Sequence, residues 1–420
     1  MKPRIHIYLP ALLLACLSAD CQKISKSDKL LIAHLQTHVQ ALSADTARGR
    51  TMGTPGEKAA VDYLISELNN AGARPKGDNN GWLQSFTIDE GRQIGADALL
   101  TVDEHPLTVG KEWFPLSLSP AGEVTGSPAI ALQESGVPWF QDLKEWLETE
   151  AAGPHADLMS TIRAKAAACA RKGATALILY NSSPQSEKDK MGFDPKDKAE
   201  PAAIPIVYIT REAKHKYFRD ESTSADLRIR ITYAARQRSG RNVIGFLDNG
   251  AATTAVIGAR FDNPTALAAM IELVRLLAAS KLHSNNYLFI VFSGSEPGWF
   301  GSDYYAAHPA IDLKKVNYLL ELDRLGGSGD GLNIGGYHTS SAWTVIGNAV
   351  REKKSLALRY DSSAVPAGDH IAFYRQRIPL LVFSVLPNDP IDYPGELQAL
   401  KFIYALIEGA NTQGRLTFTP

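Results

Sequence analysis

Residues 255–296 read AVIGARFDNPTALAAMIELVRLLAASKLHSNNYLFIVFSGSE, and the fold class follows from them. Ala255–Ala259 is a short apolar run without alternation, as expected of a strand covered on both faces. The next segment predicts a helix over Thr265–Ala279, because Leu267, Met270, Ile271, Val274 and Leu277 share one face at helical spacing. Tyr287–Phe292 is a second apolar run of strand length. Moving outward, the sequence predicts a helix Phe300–His308, strands Tyr318–Leu322 and Leu380–Ser384, and a closing helix Leu397–Ile407. Alternating strands and helices imply an α/β fold, a mostly parallel mixed sheet sandwiched by helices.

Towards the N-terminus, Lys29–Leu42 has helical spacing and carries His34 and His38, which read as surface histidines. Thr54-Pro55-Gly56-Glu57 has the form of a helix start, with Thr as N-cap, Pro at the first helical position and Glu closing a capping box. Val61, Leu64, Ile65 and Leu68 continue it as one apolar face, Gly72 ends it, and Trp82–Ile88 reads as a strand. Residues 99–235 have another texture: short β-like runs, one helix near Leu158–Lys172, strands Ala176–Tyr180 and Ile204–Ile209, and a charged loop between them. They read as a β-rich lobe inserted into the first domain, followed by a polar, basic linker Arg236–Arg241. The expected organisation is residues 1–15 a signal peptide, 16–28 a tether, 29–98 and 236–420 the two parts of one domain, and 99–235 the insert.

Lys2 and Arg4 precede the apolar run Ile5–Leu14, then Ala15 and Cys16, the pattern of an export signal rather than a spanning helix. Leu13-Leu14-Ala15-Cys16 resembles a bacterial lipobox, which makes Cys16 a lipidation site; a plain signal peptide is the alternative. The other cysteines, Cys21 and Cys169, supply neither a disulfide framework nor a zinc-type pair, and Cys169 reads as a buried small hydrophobe.

Across 420 residues, 44 Lys and Arg balance 45 Asp and Glu for a net charge of −1, which argues against a dedicated nucleic-acid binder. With 45% hydrophobic residues, 33 Gly and 23 Pro, collagen and a mostly disordered chain are excluded. A serine-hydrolase elbow needs Gly-x-Ser-x-Gly, and Ser295 lacks it; Gly327-Ser328-Gly329 begins a dinucleotide-like pattern that Leu332 breaks.

Ligands of open α/β sheets bind beyond the carboxyl ends of the strands. Asp262, Glu296 and Asp323 each follow one of the expected strands, so three carboxylates converge on one sheet edge. Such a cluster repels itself unless a cation, a proton or an arginine compensates. A divalent metal is one reading; solvated turns and caps are the other.

Three segments in order, Gly258-Ala259-Arg260-Phe261-Asp262-Asn263, Gly294-Ser295-Glu296-Pro297-Gly298-Trp299-Phe300-Gly301-Ser302 and Glu321-Leu322-Asp323, resemble the core of the two-zinc aminopeptidases, the family of aminopeptidase Y, glutamate carboxypeptidase and glutaminyl cyclase. Gly49–Ala60, and Gly368-Asp369-His370 with Arg377-Ile378-Pro379, resemble its entry segment and late active-site loop. The insert resembles a protease-associated domain through Ala168–Tyr180 and Ile204–Ile209. The resemblance implies a phosphorylase/hydrolase-like sheet and two zinc ions. It places zinc ligands at Asp262, Glu296 and Asp323.

The sequence also departs from that pattern. Arg260 stands where the family has its first zinc histidine, and Asp262-Asn263 runs straight into the helix where the family has a loop bearing the bridging Asp. Ser295 stands at the general-base position. Residues 386–392 contain no histidine and offer Asn388 at best. A guanidinium cannot bind a metal, so Arg260 is expected to act as the counter-charge of the carboxylates. Losing a general base costs ~10²–10⁴ in rate, and two-metal hydrolysis needs both ions. The expectation is a degenerate exported metallopeptidase homologue, catalytically impaired, that binds a peptide or an envelope protein. Its cofactor is then none, or a residual zinc held by Asp262, Glu296, Asp323 and His370. The alternatives are an active metal-dependent aminopeptidase and a structural envelope lipoprotein. No nucleic-acid partner is expected, and the membrane is met only through the lipid at Cys16, in the cell envelope or periplasm.

Overall fold

The computed structural model describes residues 25–44, 52–144, 158–183, 191–197, 199–326, 331–351, 356–361, 367–385 and 390–419; the side chains of Glu296 and Pro297 lie outside the description. The expectations for the signal segment, Cys16, Cys21 and Asn388 therefore fall outside the described residues. The chain divides into two compact units, Met1–Phe86 with Gly240–Pro420, and Thr87–Ser239. The second unit is wider at both ends than the expected 99–235.

The first unit is built from α1 (Lys26–Ser43), α2 (Pro55–Asn70), β1 (Leu83–Ile94), β2 (Tyr233–Leu247), β3 (Thr254–Arg260), α3 (Pro264–Ala278), β4 (Asn286–Phe292), α4 (Phe300–Ala307), β5 (Val316–Arg324), β6 (Leu332–Gly335), α5 (Ser341–Arg351), β7 (Leu358–Tyr360), α6 (Ile371–Arg375), β8 (Leu380–Ser384) and α7 (Tyr393–Ala410). β1 and β2 run on into the second unit. The sheet order is β2-β4-β3-β5-β8-β6-β7, with the short strand Arg74–Pro75 and β1 both paired to β2. β4, β3, β5 and β8 are parallel neighbours, while β2 joins β4 antiparallel and β6 joins β8 antiparallel. This is the mostly parallel mixed sheet that the sequence predicts.

β3, β4 and β5 are buried along most of their length because each has a layer on both sides. On one face α1, α2, α3, α5 and α7 contribute Leu35, Val61, Leu267, Trp343 and Leu400 to a continuous core. On the other, Tyr305 of α4 and Phe373 of α6 pack on Val256, Ile290 and Leu319. Among the described residues no helix is long and apolar enough to cross a membrane.

Several local expectations change. α1 starts at Lys26 because the Ser25 side chain accepts the Asp28 N–H at 3.1 Å, so the end of the expected tether is helical. α2 begins as predicted, with Thr54 Oγ1 accepting the Glu57 N–H; Glu57 reaches back to the Gly53 N–H at 2.8 Å and accepts the Ser293 hydroxyl at 2.9 Å. Arg236–Arg241 is no linker but part of β2: Arg236 and Arg238 both pair with Glu90 on β1, and such cross-strand charge pairs let a polar segment hold strand geometry. His38 is not a surface residue. It is buried, with Nε2 3.2 Å from Glu272 of α3 and Nδ1 2.7 Å from the Tyr63 hydroxyl, while half-exposed His34 also approaches Glu272.

The second unit holds two four-stranded sheets. One orders His105–Pro106, Leu99–Val102, Leu227–Ile231 and Gly122–Gly126; the other orders Trp113–Pro115, Ile206–Ile209, Leu177–Tyr180 and Trp139–Asp142. The helix Leu158–Arg171 lays Ile162 and Ala166 into the core with Leu177, Leu179 and Ile206. Cys169 packs half-buried at the edge of this core, and burial pushes its thiol up, as befits a packing residue.

Candidate functional site

β3 ends at Arg260, and the chain turns through Asp262 into α3. Asn263 forms the N-cap, its side chain accepting the Thr265 and Ala266 N–H groups at 3.1 and 3.3 Å. Parallel pairing of β3 with β5 sets Gly258 opposite Glu321. Side chains two apart share a strand face, so Arg260 and Asp323 lie one step further along that row. The Arg260 guanidinium grips Asp262 with both ends, Nε to Oδ1 at 3.1 Å and Nη2 to Oδ2 at 2.8 Å, and reaches Asp323 Oδ1 through Nη1 at 3.3 Å. This fork is the planar, two-pronged recognition of a carboxylate that arginine makes and lysine cannot. The three side chains are 22%, 45% and 37% exposed, so the cluster sits at the rim of the sheet rather than inside it.

Beneath the rim lies Glu321, a residue of the Glu321-Leu322-Asp323 segment to which the sequence alone assigns no role. Glu321 is buried on the same strand face as Asp323, and neither carboxyl oxygen has a hydrogen-bond partner among the described residues. Burial, then the nearby Asp369 and Asp323, push its pKa well above the usual carboxylate range, and Arg260 opposes them. Gly258 makes the room: a Cβ there would come within 2.1 Å of Glu321 Oε2. A charged residue inside an otherwise apolar parallel strand, two positions before Asp323, is the signal that marks it.

Ser295 begins a short helical turn, Ser295–Gly298, after β4, with Gly294 in the left-handed region at φ 72°. Its hydroxyl donates to Asp369 Oδ2 at 2.6 Å and is buried. Asp369 is pushed up to about 6, by burial first; hydrogen bonds from Ser295 and Ser302 and the charge of Arg260 hold it down. His370 is buried beside it, at the N-cap of α6. Glu296 follows Ser295 in the same turn, so its backbone is at the strand ends.

The structure thus brings Arg260, Asp262 and Asp323 together and links Ser295 to Asp369. Among the described residues, no three His, Cys, Asp or Glu side chains come together in a way that would hold a metal ion. The position between Asp262 and Asp323 is filled by a guanidinium that is always protonated and offers no lone pair. A two-zinc centre does not fit the donor set of the described residues. A groove of about 760 Å³ lies elsewhere, walled by Leu31, Leu276, Val345, Ile346 and Tyr404, with none of the rim carboxylates in it.

A mostly parallel sheet with acidic residues gathered at its strand ends is the frame of the two-zinc aminopeptidases, and comparison with known proteins supports that resemblance. Residues 240–399, which carry β3 to β8 and every rim residue, match the Peptidase family M28 profile. A Mycobacterium tuberculosis protein named "Probable lipoprotein aminopeptidase LpqL" is 26% identical over 314 residues, 71% of this chain and 59% of that one. An aminopeptidase of Pseudomonas aeruginosa is 23% identical over 68% of this chain and 57% of its own. The chain therefore spans less than two thirds of the length of these relatives. Among solved structures, a zinc aminopeptidase from Bacillus subtilis aligns over 90% of this chain and 94% of its own at 18% identity, with a TM-score of 0.48.

Proposed function

We propose that this protein is a catalytically impaired relative of the M28 aminopeptidases, exported and lipid-anchored at Cys16, that binds a peptide or an envelope protein. The observation that carries this reading is the Arg260 fork. Where hydrolysis would need a metal to activate water, the carboxylates Asp262 and Asp323 are engaged by a fixed organic cation. Ser295 adds to it: its hydroxyl donates to Asp369, and a neutral hydroxyl is far too weak a base to take a proton from water at neutral pH. The insert Thr87–Ser239, with its two sheets and the helix Leu158–Arg171, is read as a protease-associated domain. Anchoring is supported by the lipobox-like Leu13–Cys16 and by a relative whose name includes lipoprotein.

The names of the relatives favour a second reading, an active aminopeptidase with an altered site holding a residual zinc. An assay of amino-acid release from a panel of unblocked peptides separates the two. The impaired reading predicts no release above the buffer rate, with or without added zinc. Release that stops on chelation and in Glu296→Ala establishes the enzyme instead. A chain that neither cleaves nor binds any of these peptides leaves an envelope-protein partner or the purely structural envelope role.

A further inference from the structure

The Arg260 guanidinium and a divalent cation are, we infer, alternative occupants of one position, so that removing the guanidinium converts the strand ends into a metal site. The inference deepens the reading of the site as metal-free, and it does not depend on whether peptides bind.

Three carboxylate oxygens, both of Asp262 and Oδ1 of Asp323, lie within 3.3 Å of guanidinium nitrogens. They therefore aim at one small region from two sides. The backbone, not the arginine, holds them there. Asp323 is on β5, Asp262 follows β3, and the two strands are locked in parallel register through Gly258 and Ala259. Zinc bonds to carboxylate oxygen at about 2.0–2.2 Å, shorter than the 2.8–3.3 Å of these contacts, so the two carboxylates must draw inward around an ion. Both aspartates are more than a third exposed, which gives an ion a path in. What excludes it is the tethered positive charge. A histidine at position 260 would remove that charge and add a neutral imidazole, a ligand suited to zinc, on the same strand end.

The test uses the full chain as wild type, Arg260→Lys and Arg260→His, each equilibrated with zinc and then freed of loosely held metal. Metal per chain is counted by mass spectrometry, and melting is followed with zinc and with chelator. Wild type and Arg260→Lys should hold less than about a tenth of an ion and melt at unchanged temperature. Arg260→His should hold about one zinc per chain, melt several degrees higher with zinc, and lose both effects when Asp323→Ala is added. An ion tightly held by wild type and released by Asp323→Ala overturns the inference. So does an Arg260→His chain with the wild-type far-ultraviolet dichroism and no zinc. Should that variant fail to fold, Arg260→Ala replaces it: its melting temperature should fall below wild type and recover with zinc, and a zinc-insensitive melt refutes the exchange. Peptide hydrolysis by wild type without bound metal would sink the impaired-enzyme reading while leaving these counts intact.

Discussion

Glu396 in the first turn of α7 sets the stability of the sheet-bearing unit against pH. The residue is fully buried, and neither carboxyl oxygen has a hydrogen-bond partner among the described residues. Burial first, and Asp392 second, push its carboxyl from the ordinary 4.5 to about 8. The folded state thus holds the proton more tightly than the unfolded chain. The stabilisation is complete below pH 4.5, where both states are protonated, and is lost as pH rises towards 8. A gap of about 3.5 pH units at about 1.4 kcal/mol each makes the loss about 5 kcal/mol by pH 9, and about 3 kcal/mol at pH 7. Glu396→Gln keeps the shape and cannot ionise. Urea unfolding from pH 5 to pH 9 should show the two chains within about 1 kcal/mol at pH 5, with the variant more stable by several kcal/mol at pH 9. Glu321 and Asp369 add their own slope to both chains, so the difference between the curves isolates Glu396. Parallel curves, or a variant weaker at pH 9, would refute the burial argument.

Two further perturbations follow from close contacts. Gly258→Ala drives a methyl into Glu321 Oε2 and should cost about 1–3 kcal/mol, readable as a lower urea midpoint, with relief when Glu321→Ala is added. Glu272, buried under α1, is raised by burial but held on balance below its usual range by His38, Arg275 and His34. Its contribution is present above pH 4.5 and lost as pH falls through its depressed value. Glu272→Gln should therefore destabilise the chain at pH 7 by about 3–5 kcal/mol and narrow the gap to wild type in acid, as measured by denaturant unfolding.

The sheet was legible because parallel strands buried on both faces announce themselves. Ala255–Ala259 and Tyr287–Phe292 have no other reading at that length, and Thr54-Pro55-Gly56-Glu57 marks a helix start by chemistry alone. What escaped were residues whose partners are distant in sequence. Arg236–Arg241 looks like a linker until Glu90 is seen beside it. His38 looks exposed on a helix until Glu272 and Tyr63 close over it. Glu321 hides inside an apolar run, marked by its own charge there and by the glycine opposite it on β3, which leaves the space it needs.

Charge compensation at the strand ends changes with depth. At the rim, Asp262 and Asp323 are more than a third exposed and face a guanidinium. One step inward, Glu321 is buried with no hydrogen-bond partner among the described residues, and burial drives it towards the neutral acid. Asp369, held at about 6 with Ser295 donating to it, lies between these extremes. A metal ion would do by one strong charge what is done here by an arginine outside and a proton within. Arg260 also opposes the rise at Glu321 and Asp369, so removing it should make the inner carboxyls hold their protons more tightly rather than release them. For that reason the Arg260 variants report on the rim carboxylates, while Glu321 stays folded against Gly258 beneath them.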